Sequence, residues 1–282
     1  PTDGADGRYV HLSYGGRPCV AIWGFGVKGR NWTAGDAIEL IDFFHGRGYA
    51  VVGGVPPIYR NMTTNSSTAD PDWGDAFARF DVISPWTVGT YNDTASADVH
   101  AANYTVPDIA SSRKTGQGYL PVIFPGFSWH NLQREDNGKL HIPPNHIPRM
   151  GGRFLYHQGL LGVDAGASMF YVAMVDEYDE GTALLPMVPS DAYLPVGTAP
   201  HVNGAECVAI NGNRTACFVP RDADDGPEDG AMPGDWYLIL AGTHIKKAMR
   251  RGPPITDWEM PPFADAAASL PVSPPPSSLS RG

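Results

Sequence analysis

Short runs of apolar residues alternate along the chain with segments whose apolar residues recur at helical spacing. The apolar runs are strand-sized and predict five β-strands, at residues 19–25, 49–55, 80–84, 119–124 and 167–175. Helices are predicted between and after them, at residues 33–45, 72–80, 97–115, 152–164 and 235–250. The first helix starts at Thr33 or Asp36, and Pro107 lies near the start of the third helix or kinks it. The pattern is a β-α unit repeated about five times.

The predicted strands are continuously apolar rather than alternating, so both faces of their sheet must be covered, as in parallel sheets. Right-handed crossovers then leave two α/β architectures, an open doubly wound sheet or a (β/α)8 TIM-type barrel. The first strand ends in Gly24-Phe25-Gly26, which lacks the third glycine of a dinucleotide-binding turn. A nucleotide-binding sheet is therefore the weaker interpretation.

Aromatic and polar residues follow the predicted strands, where a barrel builds its active site. Aromatic rings with hydrogen-bonding neighbours suit sugars, which have apolar faces and polar rims. The candidate substrate contacts are Trp23, Arg60, Trp86, Trp129 and His130. The alternative for each of them is that it packs a long loop. The repetition at successive strand ends favours the barrel.

Composition narrows the class of protein. The 282 residues carry a formal charge of −10, which argues against a nucleic-acid-binding protein because such a protein needs a basic face. The 33 glycines and 27 prolines indicate short elements joined by many turns. No apolar run approaches the roughly 20 residues that a membrane-spanning helix needs.

Six Asn-x-Ser/Thr triplets are typical of a secreted or cell-surface glycoprotein, although chance occurrence is the alternative. They place candidate glycans at Asn31, Asn61, Asn65, Asn92, Asn103 and Asn213. Cys207 and Cys217 flank a turn signal and predict a disulfide in an oxidising compartment. Cys19 is expected to be a buried thiol. No residue pattern calls for a nucleotide, a flavin or a metal, so no cofactor is expected.

The main chemical signal is a cluster of acidic residues at the end of the last predicted strand. Asp176, Glu177, Asp179 and Glu180 place four carboxylates within five residues. Crowding of like charges raises some carboxyl pKa values, so one carboxyl can serve as an acid while another stays ionised. Strand alternation points Glu177 into the barrel mouth, and Glu180 joins it only if the chain leaves strand geometry near Gly181. A calcium site or a solvated acidic loop is the alternative, although calcium-loop spacing is not met.

Several segments together carry a family resemblance. They are CVAIWGFG, YAVVGGVPPIYR, FDVISPW, YLPVIFPGFSWHN, IPRMGGRFLYHQ and MFYVAMVDEYDEGTA, and they span residues 14–186 together with the helix near Trp236. The chain resembles the barrels of glycoside hydrolase families 71 and 99, which include endo-acting α-mannosidases and α-1,3-glucanases.

The resemblance implies hydrolysis of an α-glycosidic bond with retention of configuration. The α-mannosidase signature Glu-Trp-His-Glu-Gly would fall on residues 177–181, where both glutamates match. Glu180 would then be the general acid/base, and Glu177 would assist the 2-hydroxyl of the sugar through an anhydro-sugar intermediate. Tyr178 and Asp179 differ from the two residues that the signature has between the glutamates, so the substrate is left open, and both are further candidate substrate contacts.

The resemblance also has implications for the domain. The chain begins at Pro1, and only five or six of the eight strands of such a barrel are expected in it, so an N-terminal segment is missing, another chain supplies it, or the barrel is incomplete. We expect an N-terminal segment at 1–13, a barrel domain at 14–260 completed by another chain or a missing N-terminal segment, and a Pro/Ser-rich tail at 261–282. Two functions remain open: a secreted glycosidase, and a catalytically inactive carbohydrate-binding or structural cell-surface or cell-wall glycoprotein.

Overall fold

The computed structural model describes residues 12–61, 71–129, 142, 145–186 and 232–263. The chain divides into two compact units, each built from several segments. The first unit comprises 1–91, 98–122 and 164–171, and the second comprises 92–97, 123–163 and 172–282. Among the described helices, none is both long and apolar enough to cross a membrane.

A five-stranded sheet contains the first five described strands, in sequence order. Its strands are β1 (Ser13–Tyr14), β2 (Arg17–Trp23), β3 (Ala50–Val55), β4 (Val82–Pro85) and β5 (Gly118–Tyr119). Strand β1 pairs with β2 in an antiparallel hairpin, and the other pairs are parallel. Cys19 lies opposite Ala50, and Val52 lies opposite Val82. An α/β fold with a mainly parallel sheet is therefore confirmed.

Helix α1 (Ala34–His45) connects β2 to β3 and begins where its capping residues predict. The backbone N–H of Asp36 donates to the Thr33 hydroxyl at 3.2 Å, and the N–H of Thr33 donates to the Asp36 carboxylate at 2.7 Å. This capping box pairs two N–H groups that a helix start leaves free. Helix α2 (Asp72–Ala78) lies between β3 and β4 in the chain and has no side-chain cap at its start.

The apolar core of the first unit lies where the helices cover the sheet. Strand β3 is buried along its whole length, and Phe80 packs beside it with 2 % of its surface exposed. A Cβ at Gly53 would lie 2.3 Å from the Phe80 ring, so only glycine allows this close packing. On the opposite face a smaller cluster forms around Val52 and Val82, with the free thiol of Cys19 half-buried against it.

The helical region before β5 starts earlier than predicted and runs through Pro107. It consists of α3 (Thr94–His100), a π-helical turn (Ala101–Thr105) and α4 (Val106–Thr115). It starts early because Asp93 and Ser96 bond reciprocally, with Ser96 N–H donating to the Asp93 carboxylate at 2.7 Å. Pro107 has no N–H to donate, and the wider π turn before it accommodates the proline without ending the helix.

The predicted strand at 119–124 is divided at Pro121, which lacks an N–H for the ladder. Strand β6 (Val122–Ile123) follows it and pairs with β7 (Tyr171–Val172) in a separate two-stranded sheet. The Tyr171 N–H donates to the Pro121 carbonyl at 3.0 Å, so the proline still serves as an acceptor. Strand β7 is much shorter than the predicted 167–175.

In the second unit two helical segments pack closely against each other at a glycine. Helix α5 (Arg153–Asp164) follows a 3₁₀ turn (Met150–Gly152), and the other segment consists of α6 (Trp236–Ile239), a π-helical turn (Leu240–Ile245) and α7 (Lys246–Arg251). A Cβ at Gly159 would lie 2.7 Å from Ile245. This close approach of the two segments is possible only because the residue has no side chain. The segment that ends in α7 matches the predicted helix at 235–250.

Candidate functional site

The residues after β7 form a closed loop rather than a continued strand. We call residues 173–186 the acidic loop. Its two sides are joined by backbone bonds: Met174 N–H donates to Thr182 O at 3.2 Å, and Leu184 N–H donates to Met174 O at 3.1 Å. At the tip, Thr182 N–H donates to Glu177 O at 3.1 Å. The chain therefore leaves strand geometry before the acidic residues, and strand alternation does not set the direction of Glu177.

The four carboxylates of the acidic loop differ in burial. Asp176 and Asp179 are exposed, whereas Glu177 and Glu180 are half-buried. Burial raises the pKa of the Glu180 carboxyl, and the nearby charge of Glu177 raises it further. Glu177 and Glu180 are three residues apart, and Glu180 holds its proton more strongly than an ordinary glutamate. Such a pair of carboxylates can divide the work of acid and base between them.

Glu180 is held through the backbone of its loop. Ser128, which follows β6, donates its N–H to the Glu180 carbonyl at 2.7 Å. Gly181 has a φ of +65°, which lets the chain turn back immediately after Glu180.

Sequence reasoning missed Arg149, which is buried behind the acidic loop. Its Nη2 donates to the carbonyls of Gly181 and Ala183, each at 2.8 Å. The available signal was a single arginine in the otherwise apolar and glycine-rich segment at 147–152.

Trp129 belongs to a small aromatic group in the second unit. Its ring is tilted against Phe127 with centroids 6.1 Å apart, and Phe127 meets His146 edge-on at 5.4 Å. Trp129 has 42 % of its surface exposed, and Tyr178 on the acidic loop has 47 %. Both side chains are therefore accessible to a ligand. His130 lies outside the described residues.

In the first unit the structure brings Trp23 and Trp86 together around Tyr171. The Trp23 and Tyr171 ring centroids are 4.8 Å apart, and those of Trp86 and Tyr171 are 6.3 Å apart. The Trp23 ring lies directly on β3, where a Cβ at Gly54 would fall 2.0 Å from it. The side-chain Nε1–H of Trp23 is buried and has no hydrogen-bond acceptor within the described part of the chain. Tyr171 was not among the predicted contacts.

Arg60 is engaged by a buried carboxylate of the same unit. Its Nε–H donates to Asp108, and the Tyr119 hydroxyl donates to the other oxygen of Asp108 at 3.1 Å. Burial raises the pKa of Asp108, against the opposing effect of the Arg60 guanidinium. The Arg60 side chain remains 37 % exposed, so part of the guanidinium stays accessible.

Four of the predicted glycan positions lie in the described part of the chain. Asn31, Asn61, Asn92 and Asn103 are all exposed, which is what an attached glycan requires. Asn65, Asn213, Cys207, Cys217 and nearly all of the Pro/Ser-rich tail lie outside the described residues. The described residues also contain no group of three or more acidic, histidine or cysteine side chains placed to hold a metal ion.

No protein-family profile matches the chain, and no curated protein sequence matches it either. Solved structures do match. The endo-α-mannosidase of glycoside hydrolase family 99 from Bacteroides thetaiotaomicron, in complex with BIS-TRIS-propane, superposes with a TM-score of 0.54 at 14 % identity. That match covers 89 % of this chain and 62 % of the mannosidase chain.

A second structure of a family 99 endo-α-mannosidase from the same organism gives a TM-score of 0.52 at 13 % identity, over 88 % of this chain and 59 % of the other. The chain therefore spans about three fifths of the length of these two structures. At this level of identity the likeness shows a distant glycosidase-like fold.

Proposed function

We propose that this protein is a secreted glycoside hydrolase that cleaves an α-linked, mannan- or glucan-type glycan with retention. The observation that carries the proposal is that the carboxylates of the acidic loop differ in burial. Of four neighbouring carboxylates, Glu177 and Glu180 are half-buried, and Glu180 has a raised pKa. The glycosidase-like fold and the Glu-x-x-Glu-Gly match to the family 99 signature support the same function.

In the proposed first step Glu180 gives its proton to the glycosidic oxygen that leaves. Glu177 removes the proton of the sugar's 2-hydroxyl, and that oxygen attacks the anomeric carbon as the glycosidic bond breaks. The product is an anhydro sugar. The raised pKa of Glu180 favours this step because the acid must be protonated at the working pH.

In the proposed second step Glu180, now ionised, takes a proton from water as the water oxygen attacks the anomeric carbon. The bond between that carbon and the 2-oxygen breaks, and Glu177 returns its proton to the 2-oxygen. Two inversions at one carbon give net retention, as in glycosidases that use a carboxylate nucleophile.

Carbohydrate is the proposed ligand, and no cofactor is used. The aromatic groups of each unit supply candidate stacking surfaces, because sugar faces are apolar. We keep Trp23, Arg60, Trp86, Trp129, His130, Tyr178 and Asp179 as candidate contacts and add Tyr171. The exposed sequons support the proposed secreted or cell-surface location.

The proposed architecture is a (β/α)8-type barrel over residues 14–260, flanked by an N-terminal segment and a Pro/Ser-rich tail. The described residues supply four parallel strands of one sheet and the further pair β6 and β7. Another chain, or sequence N-terminal to this one, would complete the barrel.

The test is hydrolysis of a panel of α-mannan and α-1,3-glucan oligosaccharides, followed by proton NMR of the anomeric signals. The expected result is cleavage of at least one oligosaccharide, with the α-anomer formed first and mutarotating afterwards. A first-formed β-anomer would overturn retention. Failure to cleave any α-linked oligosaccharide would overturn the hydrolase function.

A second candidate function is carbohydrate binding without catalysis, and the exposed Trp129 and Tyr178 side chains favour it. It predicts that calorimetry detects binding of an α-linked oligosaccharide that the protein leaves intact. It also predicts that Trp129→Ala weakens binding, whereas Glu180→Gln does not.

A further inference from the structure

A single buried side chain fixes the acidic loop on the C-terminal side of Glu180. Arg149 has 5 % of its surface exposed. The two carbonyls that its Nη2 holds, those of Gly181 and Ala183, flank Thr182. Thr182 in turn closes the loop by donating its N–H to Glu177 O. One guanidinium group is thus linked, through three consecutive residues, to the backbone of both glutamates.

Arg149 is itself held in place. Its guanidinium carbon lies 4.6 Å from the centroid of the Tyr237 ring, a cation–π distance. A Cβ at Gly126 would fall 2.7 Å from the Arg149 Cγ, so the side chain runs directly over a glycine backbone. Ile147, two residues earlier, pairs with Phe127 through bonds of 3.0 and 3.1 Å. The arginine is therefore anchored at both its backbone and its guanidinium end.

Burying the charged side chain of Arg149 costs free energy. Its Nη1 is buried and has no hydrogen-bond partner among the described residues, and none of the described ion pairs involves Arg149. A buried cation without a carboxylate partner costs stability. The contacts that offset this cost are the two carbonyl bonds to the acidic loop and the Tyr237 ring.

The influence of Arg149 on Glu180 is geometric. The raised pKa of Glu180 comes from burial and from the charge of Glu177. Arg149 instead bonds the carbonyl of Gly181, the residue next to Glu180, while Ser128 N–H bonds the carbonyl of Glu180 itself at 2.7 Å. The adjacent carbonyls of Glu180 and Gly181 are thus bonded by two different segments of the chain.

We propose that Arg149 is a positioning residue, which holds the acidic loop so that Glu180 keeps its place relative to Glu177. The inference rests on the proposed hydrolase function for its catalytic consequence. We call the two bonds from Arg149 to the Gly181 and Ala183 carbonyls the clamp, and it can be tested without any substrate.

The first experiment compares Arg149→Lys with the wild-type full chain and with Arg153→Lys, an exposed arginine on α5, as the matched control. Lysine keeps the charge but is shorter and lacks the planar guanidinium group whose Nη2 donates to both carbonyls. Hydrogen exchange at the Gly181 and Thr182 amides is expected to become roughly tenfold faster in Arg149→Lys, and kcat to fall about tenfold with KM within about twofold. Arg153→Lys should match the wild type in all three quantities.

A second variant keeps the inference testable if Arg149→Lys does not fold. Gly181→Ala leaves Arg149 intact and forces a side chain onto a residue with a φ of +65°. The new Cβ would meet Ser128 at 3.5 Å, an ordinary contact, so the perturbation is confined to the loop backbone. It should reproduce the fall in kcat at unchanged KM.

Wild-type exchange rates and wild-type kcat in Arg149→Lys would overturn the inference. So would a raised KM at unchanged kcat, because that result makes Arg149 a substrate contact. If the wild type hydrolyses no glycan while Arg149→Lys still exchanges faster at Gly181 and Thr182, the clamp stands and the hydrolase function fails.

Discussion

Strand β3 and the acidic loop differ in what holds them in place. All six residues of β3 are buried, and the strand is paired on both sides by β2 and β4. At the tip of the acidic loop Val175, Asp176, Tyr178 and Asp179 are exposed, whereas Ala173, Ala183 and Leu184 at its base are buried. The tip is held by backbone bonds and by Arg149 and Ser128. Burial of apolar surface fixes the sheet and the base of the loop, whereas a few directed polar contacts shape the tip.

This difference separates stability from activity along the chain. Substitutions in the core on the Phe80 side of β3 are expected to change the free energy of unfolding and to leave the activity per folded molecule intact. Substitutions at residues 175–180 of the acidic loop, which are exposed or half-buried, are expected to do the reverse, because few apolar contacts are lost there.

Phe80→Ala should have the largest effect on stability. Phe80 is 2 % exposed and packs against Phe25 and Phe77, so its truncation leaves a cavity. We expect a loss of about 3–5 kcal/mol in the free energy of unfolding, measured by urea titration. Phe43→Ala is the control, since Phe43 is 48 % exposed. An equal loss in both variants would contradict the assignment of the core.

Gly54→Ala should have the next largest effect. Its Cβ would fall 2.0 Å from the Trp23 ring, so the ring or the strand must move. We expect a loss of about 1–3 kcal/mol by urea titration. The same substitution at Gly35, in α1, meets only the Thr33 hydroxyl at 3.5 Å and should stabilise the protein by up to about 1 kcal/mol. Two losses of equal size would contradict the close packing of Trp23 on β3.

Glu180→Gln should have a small effect on stability, of opposite sign. Because the folded pKa of Glu180 is raised, the stability that it contributes is present below the ordinary glutamate pKa and is lost as the pH rises through the folded value. Glutamine does not ionise, so the variant should melt at a higher temperature than the wild type near neutral pH. The difference should shrink below the ordinary pKa of about 4.3.

This effect is measured by thermal scans near neutral pH and below about pH 4.3. Asp176→Asn serves as the exposed control. Asp176→Asn should follow the wild type. A Glu180→Gln variant that melts below the wild type near neutral pH would contradict the raised pKa.

The sheet and its first helices are predictable because their signals are local. Continuous apolar runs specify β2, β3 and β4, and the Thr33–Asp36 pair specifies the start of α1. The end of β7 is not predictable in this way. The residues after Val172 are as apolar as those before, and what turns them is pairing across the loop, such as Leu184 N–H to Met174 O.

The candidate site is predictable in part for the same reason. The clustering of carboxylates is visible in the sequence, and the resemblance singles out Glu177 and Glu180. The bonds that hold the loop around Glu180 come from Ser128 and Arg149, which belong to distant segments of the sequence. The roles of both glutamates remain predictions.

The most direct test of the hydrolase proposal is kcat/KM for wild type, Glu180→Gln and Asp176→Asn on the same α-linked oligosaccharide. The two variants remove one carboxylate charge each from the same loop, one half-buried and one exposed. We predict a loss of at least about 100-fold for Glu180→Gln, the usual scale for a general acid, and a change of less than about threefold for Asp176→Asn. Equal activity in the two variants would contradict the assignment of Glu180 as the acid.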